Sequence, residues 1–551
     1  ARSFYLEIFA EHLIDCLLKE CGLSRANLIY SGGGHCYMLL PNTEKTRKAV
    51  QNFSQGVNSW LLERFGDLLY LATGSTECSA DDLMNAGFTE SYSPYKDIFI
   101  RLGRSLSQSK LKRYSADDIR RMNSISRGET ERECKVCGEV RRLVLGDDIC
   151  DFCNKLRRIS SELIKENRVL CVTYEKIENA INLDMPLQSG RTAYLNRVGY
   201  DEVISLQKAR RDIILSTYGI NKLYTGVNYY SKLWMGNYFA KDSDGGMFTF
   251  EELAKCSRGI EKIGVLRADV DFLGKAFIEG FERQDSREKY KYVALSRYST
   301  LSRRLSLFFK KYINEILSQD FSDPRFYLSK EKARQGRQDR KVTIVYSGGD
   351  DLFIVGAWDE VLEVAVDLRT IFEKYTGGAL TFSAGFGMFD RTFPVSRMAE
   401  LTAILESRAK GIDDKKNAIS LFGEDMPVGG GIGHTYKWDV FIEKVVNEKL
   451  RAIEDYFEIS KNLDSAKGNA FLYRLMGFVV RAGDRVNIAR CAYLLGRLIP
   501  NEKASDVERE AYSRFSRDVY KWILNEEDRR QLLTAINIYL YLNRNKEDKN
   551  D

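Results

Sequence analysis

The chain reads as an α+β protein: two ferredoxin-like domains, a zinc-binding insert and a C-terminal helical bundle. Three observations predict this. LIYSGGGHCYMLL (28–40) aligns without gaps with IVYSGGDDLFIVG (344–356). Four cysteines stand as CKVC (134–137) and CDFC (150–153). Residues 436–548 carry apolar residues at helical spacing with little interruption.

The bulk numbers leave room for all of these. A chain of 551 residues predicts several domains. With 44% hydrophobic and 29% charged residues it is an ordinary globular composition, and a net charge of +6 does not announce a nucleic-acid binder. Only 7 prolines and no long polar tract argue against disorder, apart from the last residues, 543–551. No apolar run approaches the length of a membrane span, so no membrane partner is expected. The chain opens on an amphipathic pattern, ARSFYLEIFAEHLIDCLLKE, and not on a signal peptide. Eleven cysteines, four at metal spacing and the rest scattered, suit a reducing, cytoplasmic compartment.

The repeat extends beyond the hairpins. An amphipathic helix precedes each (2–20; about 293–318), and a helix (about 43–65; 359–375) and a strand (68–78; 379–389) follow. The second copy also has a leading strand, IGVLRADVDFLGKAF (263–277). The first copy begins inside its helix, so a strand or a whole domain is expected upstream. Strand, helix, hairpin, helix, strand predicts a sheet with helices on one face. The expected divisions are residues 1–95, an N-terminally truncated degenerate copy; 96–255, a linker domain with the four-cysteine site; 256–427, the intact copy; and 428–551, the helical domain.

The hairpin tip of the second copy carries Asp350 and Asp351, and its leading strand ends at Asp269. The topology brings all three carboxylates to one sheet edge. Clustered buried carboxylates repel, and a hard cation, Mg²⁺ or Mn²⁺, resolves the conflict with oxygen ligands. A metal pair is the usual arrangement for attack on a nucleotide α-phosphate. AKGIDDKKN (409–417) supplies Lys410, Lys415 and Lys416 to neutralise phosphates. Gly274 opens a helix whose amides can meet a triphosphate. Hairpin tips also favour Asp and Gly for purely structural reasons. The first copy is an internal control: Gly34 and His35 replace the aspartates, so the turn folds without them.

Cys134, Cys137, Cys150 and Cys153 form Cys-x2-Cys-x12-Cys-x2-Cys, which sets four thiolates around structural Zn²⁺ and leaves no open position. Asp147 and Asp148 between the pairs read as an ordinary turn. The basic stretch at 105–133 reads as a solvated linker, and the aromatic stretch at 223–240 as packing. SKEKARQGRQDRK (329–341) reads as a mobile charged loop. VGGGIGH (428–434) lacks the context of a P-loop and reads as a hinge. Arg474, Arg481, Arg485 and Arg490 on the bundle read as a wet face.

Tyr-Ser-Gly-Gly-Asp-Asp behind an Ala-Asp-Val-Asp strand resembles the palm domains of nucleotide cyclases and polymerases. Two palms, one degenerate, around a four-cysteine insert resemble the large subunit of type III-A CRISPR effector complexes (Csm type) over nearly the whole chain, including LSRRL (301–305) and NAFLYRLM (469–476). The resemblance implies a nucleotidyltransferase that makes 3′–5′ cyclic oligoadenylates from ATP when its complex holds target RNA. It implies other Csm-type subunits, CRISPR RNA and target RNA as partners. By it, Asp269, Asp350 and Asp351 are metal ligands, with Val270 counted among them. Ser347 and Gly348 line the nucleotide, with Ser31 and Gly32 as their counterparts for a second ATP. The family's histidine–aspartate nuclease domain is not expected in this chain, whose three histidines, His12, His35 and His434, are never followed by Asp. The rival reading is a scaffold with nucleotide-sensing palms. A free-standing diguanylate cyclase is disfavoured by Gly-Gly-Asp-Asp-Leu in place of Gly-Gly-Asp-Glu-Phe.

Overall fold

The computed structural model of the protein describes residues 2–32, 34–124, 132–163, 168–187, 191–223, 230–242, 244–283, 286–336, 338–422, 433–459, 465–502 and 504–544. Most of the expected hinge (428–432), part of the basic stretch (125–131), part of the aromatic stretch (224–229) and the tail (545–551) lie outside the described residues. The chain forms two compact units. One comprises Ala1–Met235, Leu273–Lys311 and Gly348–Asp350; the other comprises Gly236–Phe272, Tyr312–Ser347 and Asp351–Asp551. Among the described residues no helix is long and apolar enough to cross a membrane.

In the first unit a helix, Arg2–Glu20, leads into the antiparallel hairpin β1 (Leu28–Gly32) and β2 (His35–Met38). A second helix, Glu44–Phe65, follows, with the Thr43 hydroxyl accepting the Thr46 N–H at its start. The expected strand at 68–78 is not one. Its Leu71 main chain donates to the Asn58 side-chain oxygen and accepts from the Asn58 amide, at 2.8 and 3.0 Å. A side chain thus takes the hydrogen bonds a neighbouring strand would have taken. The insert holds the short pair β3 (Arg132–Glu133) and β4 (Val140–Arg141) and a helix, Asp151–Leu163. Then come β5 (Arg168–Thr173), β6 (Leu183–Pro186), β7 (Thr192–Gly199), β8 (Ile214–Ile220) and β9 (Ser231–Leu233), in a sheet of order β6-β7-β5-β8-β9. One core joins Tyr5, Ile8 and Phe9 of the first helix, Val57 and Trp60 of the second, and Leu170, Leu183 and Leu195 of this sheet. The division expected at 95/96 therefore runs through a continuous core.

The second unit is built on β10 (Ile263–Val270), β11 (Val342–Ser347), β12 (Asp351–Ala357), β13 (Phe382–Phe389), β14 (Ala418–Leu421) and β15 (Thr435–Lys437), in the order β11-β12-β10-β13-β14-β15. Only β13 and β14 run parallel. Helices cover both faces, not one. A Cβ on Gly264 of β10 would meet Trp358 and Val361 of helix Trp358–Thr376. A Cβ on Gly385 of β13 would meet Thr402 and Glu406 of helix Val395–Lys410. Gly385 pairs with Arg267 and Gly264 with Met388, so the two glycines lie on opposite faces of the pleat. The fold is mixed helix and sheet, with helices of its own from 440 to 543.

The segment expected as a mobile loop is anchored. Lys330–Arg334 is helical, and Arg340 is buried against Glu360, Glu363 and Asp367. These three carboxylates, and Asp359 against Lys332, lie on helix Trp358–Thr376, out of reach of any local reading of 329–341.

Candidate functional site

The site is set by strand register. On β10 and β12, Asp269 lies directly opposite Asp351; on the other side of β10 it lies opposite Ser383 of β13. Arg267, two residues earlier, shares the face of Asp269. Helix Val395–Lys410 lies over that face and contributes Glu406 and Lys410 one turn apart. Arg267 Nε bonds Glu406 Oε2 at 2.7 Å, Lys410 Nζ bonds Glu406 Oε1 at 2.7 Å, and Lys410 also pairs with Asp269. Charge thus alternates from Arg267 through Glu406 and Lys410 to Asp269.

Asp269, Asp351 and Lys410 are half-buried, and their protonation reflects it. Burial pushes the Asp269 carboxyl up; Lys410 opposes this, and Glu406 and Asp271 add to it. Burial also pushes Asp351 up, against a hydrogen bond from Tyr346 and in concert with Asp269. Burial disfavours the Lys410 ammonium, but Asp269 and Glu406 outweigh it and hold the group above its usual range. The neighbouring Asp271 plays a different part. It is 2% exposed and accepts from Thr381 Oγ1 at 2.9 Å, Ser383 Oγ at 2.9 Å and the Asn417 N–H at 3.1 Å. Its oxygens are spent on holding β10, β13 and the 411–417 loop together. Phe272, Lys416 and Asn417 beside it have left-handed backbones, with φ of +55°, +53° and +54°. Such conformations cost roughly 1–2 kcal/mol at residues such as Phe272 and Lys416, and less at Asn417. The Lys416 ammonium lies 4.1 Å from the centre of the Phe272 ring.

The sequence candidates fall as follows. Asp269, Asp351 and Lys410 come together. Asp350 lies in the turn before β12. Among the described residues no three carboxylates have oxygens all within 4.8 Å of one another, so the expected triad is present as a pair. Lys416 faces Phe272, and Lys415 is exposed. Ser347 is 3% exposed at the end of β11, and Gly348 is buried in the turn after it. Gly274 lies in the first turn of helix Leu273–Glu279, with open space where a Cβ would be. Ser31 donates to Glu11 Oε1 at 2.9 Å, so its hydroxyl proton is engaged within the first unit. A Cβ on Gly32 would meet the Tyr30 hydroxyl. Arg267 and Glu406 were not singled out from sequence. Their signals were present: Arg267 sits at i−2 on the strand of Asp269, and Glu406 at i−4 on the helix of Lys410.

The four cysteines form a second site. Cys134, Cys137, Cys150 and Cys153 have sulfurs all within 4.8 Å of one another, with Cys137 and Cys150 3.9 Å apart. Tetrahedral Zn²⁺ with Zn–S of about 2.3 Å requires sulfurs about 3.8 Å apart. Gly138, at φ +73°, makes the tight turn of the first knuckle. Burial opposes the Cys134 thiolate, but amides of Cys150, Cys137 and Val136 prevail and bring its pKa down to about 6. A thiolate is the form a metal needs.

Comparison with known proteins agrees with this layout. The family Csm1 subunit domain B matches residues 1–125, the Cas10/Cmr2 second palm domain residues 262–420, and the second helical domain of the CRISPR RNA silencing complex Cmr2 subunit residues 454–545. The CRISPR single-strand-specific deoxyribonuclease Cas10/Csm1 (subtype III-A) of Mycobacterium tuberculosis is 38% identical over 561 residues, spanning 100% of this chain and 64% of its own length. Its Streptococcus thermophilus counterpart is 34% identical over 550 residues, 98% of this chain and 64% of its own length. Two solved Csm1–Csm4 cassettes superpose: one in complex with cA4, with a TM-score of 0.66 and 25% identity, and one in complex with AMPPNP, with 0.67 and 26%. Each match covers 98% of this chain and 66% of the other. The chain therefore spans just under two thirds of the relatives it matches.

Proposed function

The chain belongs to the Cas10/Csm1 family of subtype III-A CRISPR systems, and from that premise we propose that the palm matched at residues 262–420 is a metal-dependent nucleotidyltransferase that joins ATP into 3′–5′ cyclic oligoadenylates. The observation that carries the proposal is the cross-strand pair Asp269–Asp351 with Lys410 against it. The order β13-β10-β12-β11 around this pair is read as a ferredoxin-like palm. That related cassettes hold AMPPNP and cA4 supports ATP as substrate and a cyclic oligoadenylate as product.

The donor set suits Mg²⁺ or Mn²⁺: two carboxylates paired across the strands, with the charge of Asp269 adding to the rise of the Asp351 carboxyl, and hard oxygen ligands only. Asp269, Asp351 and the Val270 carbonyl would hold the cation, with Asp350 in the adjoining turn as a further ligand. When bound, the cation supplies positive charge at the α-phosphate and acidifies the attacking hydroxyl. The chain's own groups do the rest. Lys410 and Lys416 neutralise the polyphosphate, and Gly348 lets the turn approach the nucleotide without side-chain obstruction. The 3′-hydroxyl oxygen of one ATP gives up its proton to solvent and bonds to the α-phosphorus of the other, and the bond to pyrophosphate breaks. Other Csm subunits, CRISPR RNA and target RNA are the proposed partners; Csm4 accompanies the related Csm1 chains. The deoxyribonuclease in the relatives' name is not proposed for this chain.

Purified protein with ATP and Mn²⁺, beside D350A/D351A, tests this by mass spectrometry of the products. Adenylate oligomers from wild type, reduced at least about 10²-fold in the variant, are expected. ATP binding that the substitutions leave unchanged would instead favour a scaffold with nucleotide-sensing palms.

A further inference from the structure

Lys410 faces two demands. It pairs with Asp269, and Asp269 is a proposed cation ligand. A divalent cation and an ammonium cannot both take the full charge of one carboxylate. The cation must displace the ammonium, and a half-buried ammonium left without a partner is costly. The neighbouring helix turn removes that cost. Glu406, 7% exposed, holds Lys410 Nζ on Oε1 at 2.7 Å, while Arg267 Nε occupies Oε2 at 2.7 Å. The Glu406 carboxylate is thereby fixed at both oxygens, one turn before Lys410.

We propose that Glu406 is a positioning residue: it retains the Lys410 ammonium when a divalent cation claims Asp269, so that Lys410 yields the carboxylate without leaving the site and is presented to the polyphosphate. This inference rests on the metal assignment above. Arg267 completes it by pinning the Glu406 oxygen that Lys410 does not use. Replacing Glu406 with an amide leaves Lys410 with one strong partner, Asp269, and sets ammonium against cation for it.

Mn²⁺ affinity, measured by titration calorimetry on the whole chain without nucleotide, reads this directly. E406Q is expected to weaken Mn²⁺ binding about 5–10-fold, on the order of a 1 kcal/mol coupling. K410M, which removes the competing ammonium, is expected to tighten it. The decisive quantity is the double-mutant cycle. If Glu406 acts through Lys410, E406Q has little effect in the K410M background. If E406Q weakens Mn²⁺ equally with and without Lys410, Glu406 is merely a nearby charge and the inference fails. E406D keeps the charge and shortens the arm; it should shift affinity the same way by less, and it serves as the test should E406Q not fold. Loss of Mn²⁺ binding in D351A, with the cycle additive, sinks this inference alone. Unchanged Mn²⁺ binding in D269A and D351A sinks the metal reading beneath it.

Discussion

Glu363 has more charge around it than its helix can neutralise. Asp359, Glu360, Glu363 and Asp367 share two close cations, Lys332 and Arg340. Glu363 is 0% exposed and also accepts the Leu328 N–H at 2.9 Å. Burial pushes its carboxyl up to about 7, with Lys332 and Arg340 opposing and Glu360 and Asp359 adding to the rise. Its folded value thus exceeds the ordinary 4.5. The stability this contributes is fully present below about pH 4.5 and is lost as pH rises through about 7, a change on the order of 3 kcal/mol. E363Q lacks the titration. Urea melts at pH 5 and pH 8 should show the variant gaining roughly 2–3 kcal/mol on the wild type between them; a difference independent of pH would refute it. Nothing at 329–341 announced this cluster. A run of Lys, Arg, Gln and Asp looks solvated unless one knows that the helix two strands further along the chain presents acids on its inner face. Asp269 and Asp351 were legible because strand alternation and hairpin position fix them locally.

At the scale of elements, the four-cysteine insert shows how a small piece is tied to a large core. Its two strands have two residues each and its own buried cluster consists of cysteines. The helix that begins at the second cysteine pair, Asp151–Leu163, sends Leu156 and Ile159 into the core of the first unit. Zinc would therefore fix the start of a helix on which that core relies. C134S and C153S are expected to lose one equivalent of zinc by elemental analysis. They should also unfold at lower temperature, forfeiting part of the roughly 10 kcal/mol or more that zinc contributes in isolated fingers. An unchanged melting temperature with zinc gone would show that Leu156 and Ile159 hold the insert unaided. This site was readable from spacing alone, since ligand identity and interval determine it. The missing strand at 68–78 was not. LLYLATGSTEC has strand composition, yet Asn58 on the preceding helix claims Leu71 at both N–H and C=O. Gly74 also approaches the Leu106 backbone too closely to allow a Cβ. Tertiary contacts overrode propensity there, as they commonly do for a short apolar run.

At the scale of the whole molecule, cores are assembled from segments distant in sequence, which no local reading of the chain places. The clearest case is the C-terminal helices, which read as a separable bundle and share a unit with the palm. The strand β15 joins the palm sheet beside β14, and Tyr436 donates to the Arg530 carbonyl at 3.0 Å. The neighbouring His434 bonds Thr534 at 2.7 Å, and burial brings its pKa down to about 4. The last helix, Glu526–Asn543, ends against the approach to β10: Ile260 N–H donates to the Tyr541 carbonyl at 3.0 Å, and the Tyr541 ring meets Trp358 and Phe422. Gly259 is the point of closest approach. Its φ is +72°, and a Cβ there would lie 1.8 Å from the Tyr541 oxygen. G259A must therefore push the helix away and strain its own backbone, at about 3 kcal/mol or more. Hydrogen exchange distinguishes the two architectures. If helix and palm fold as one cooperative body, G259A lowers amide protection in β10 and in 526–543 together. If the helices are a module of their own, only 526–543 loses protection and β10, with Asp269 at its end, is untouched. The bond from Ile260 to Tyr541 favours the first outcome, in which whatever shifts the last helix also shifts the strand that carries Asp269.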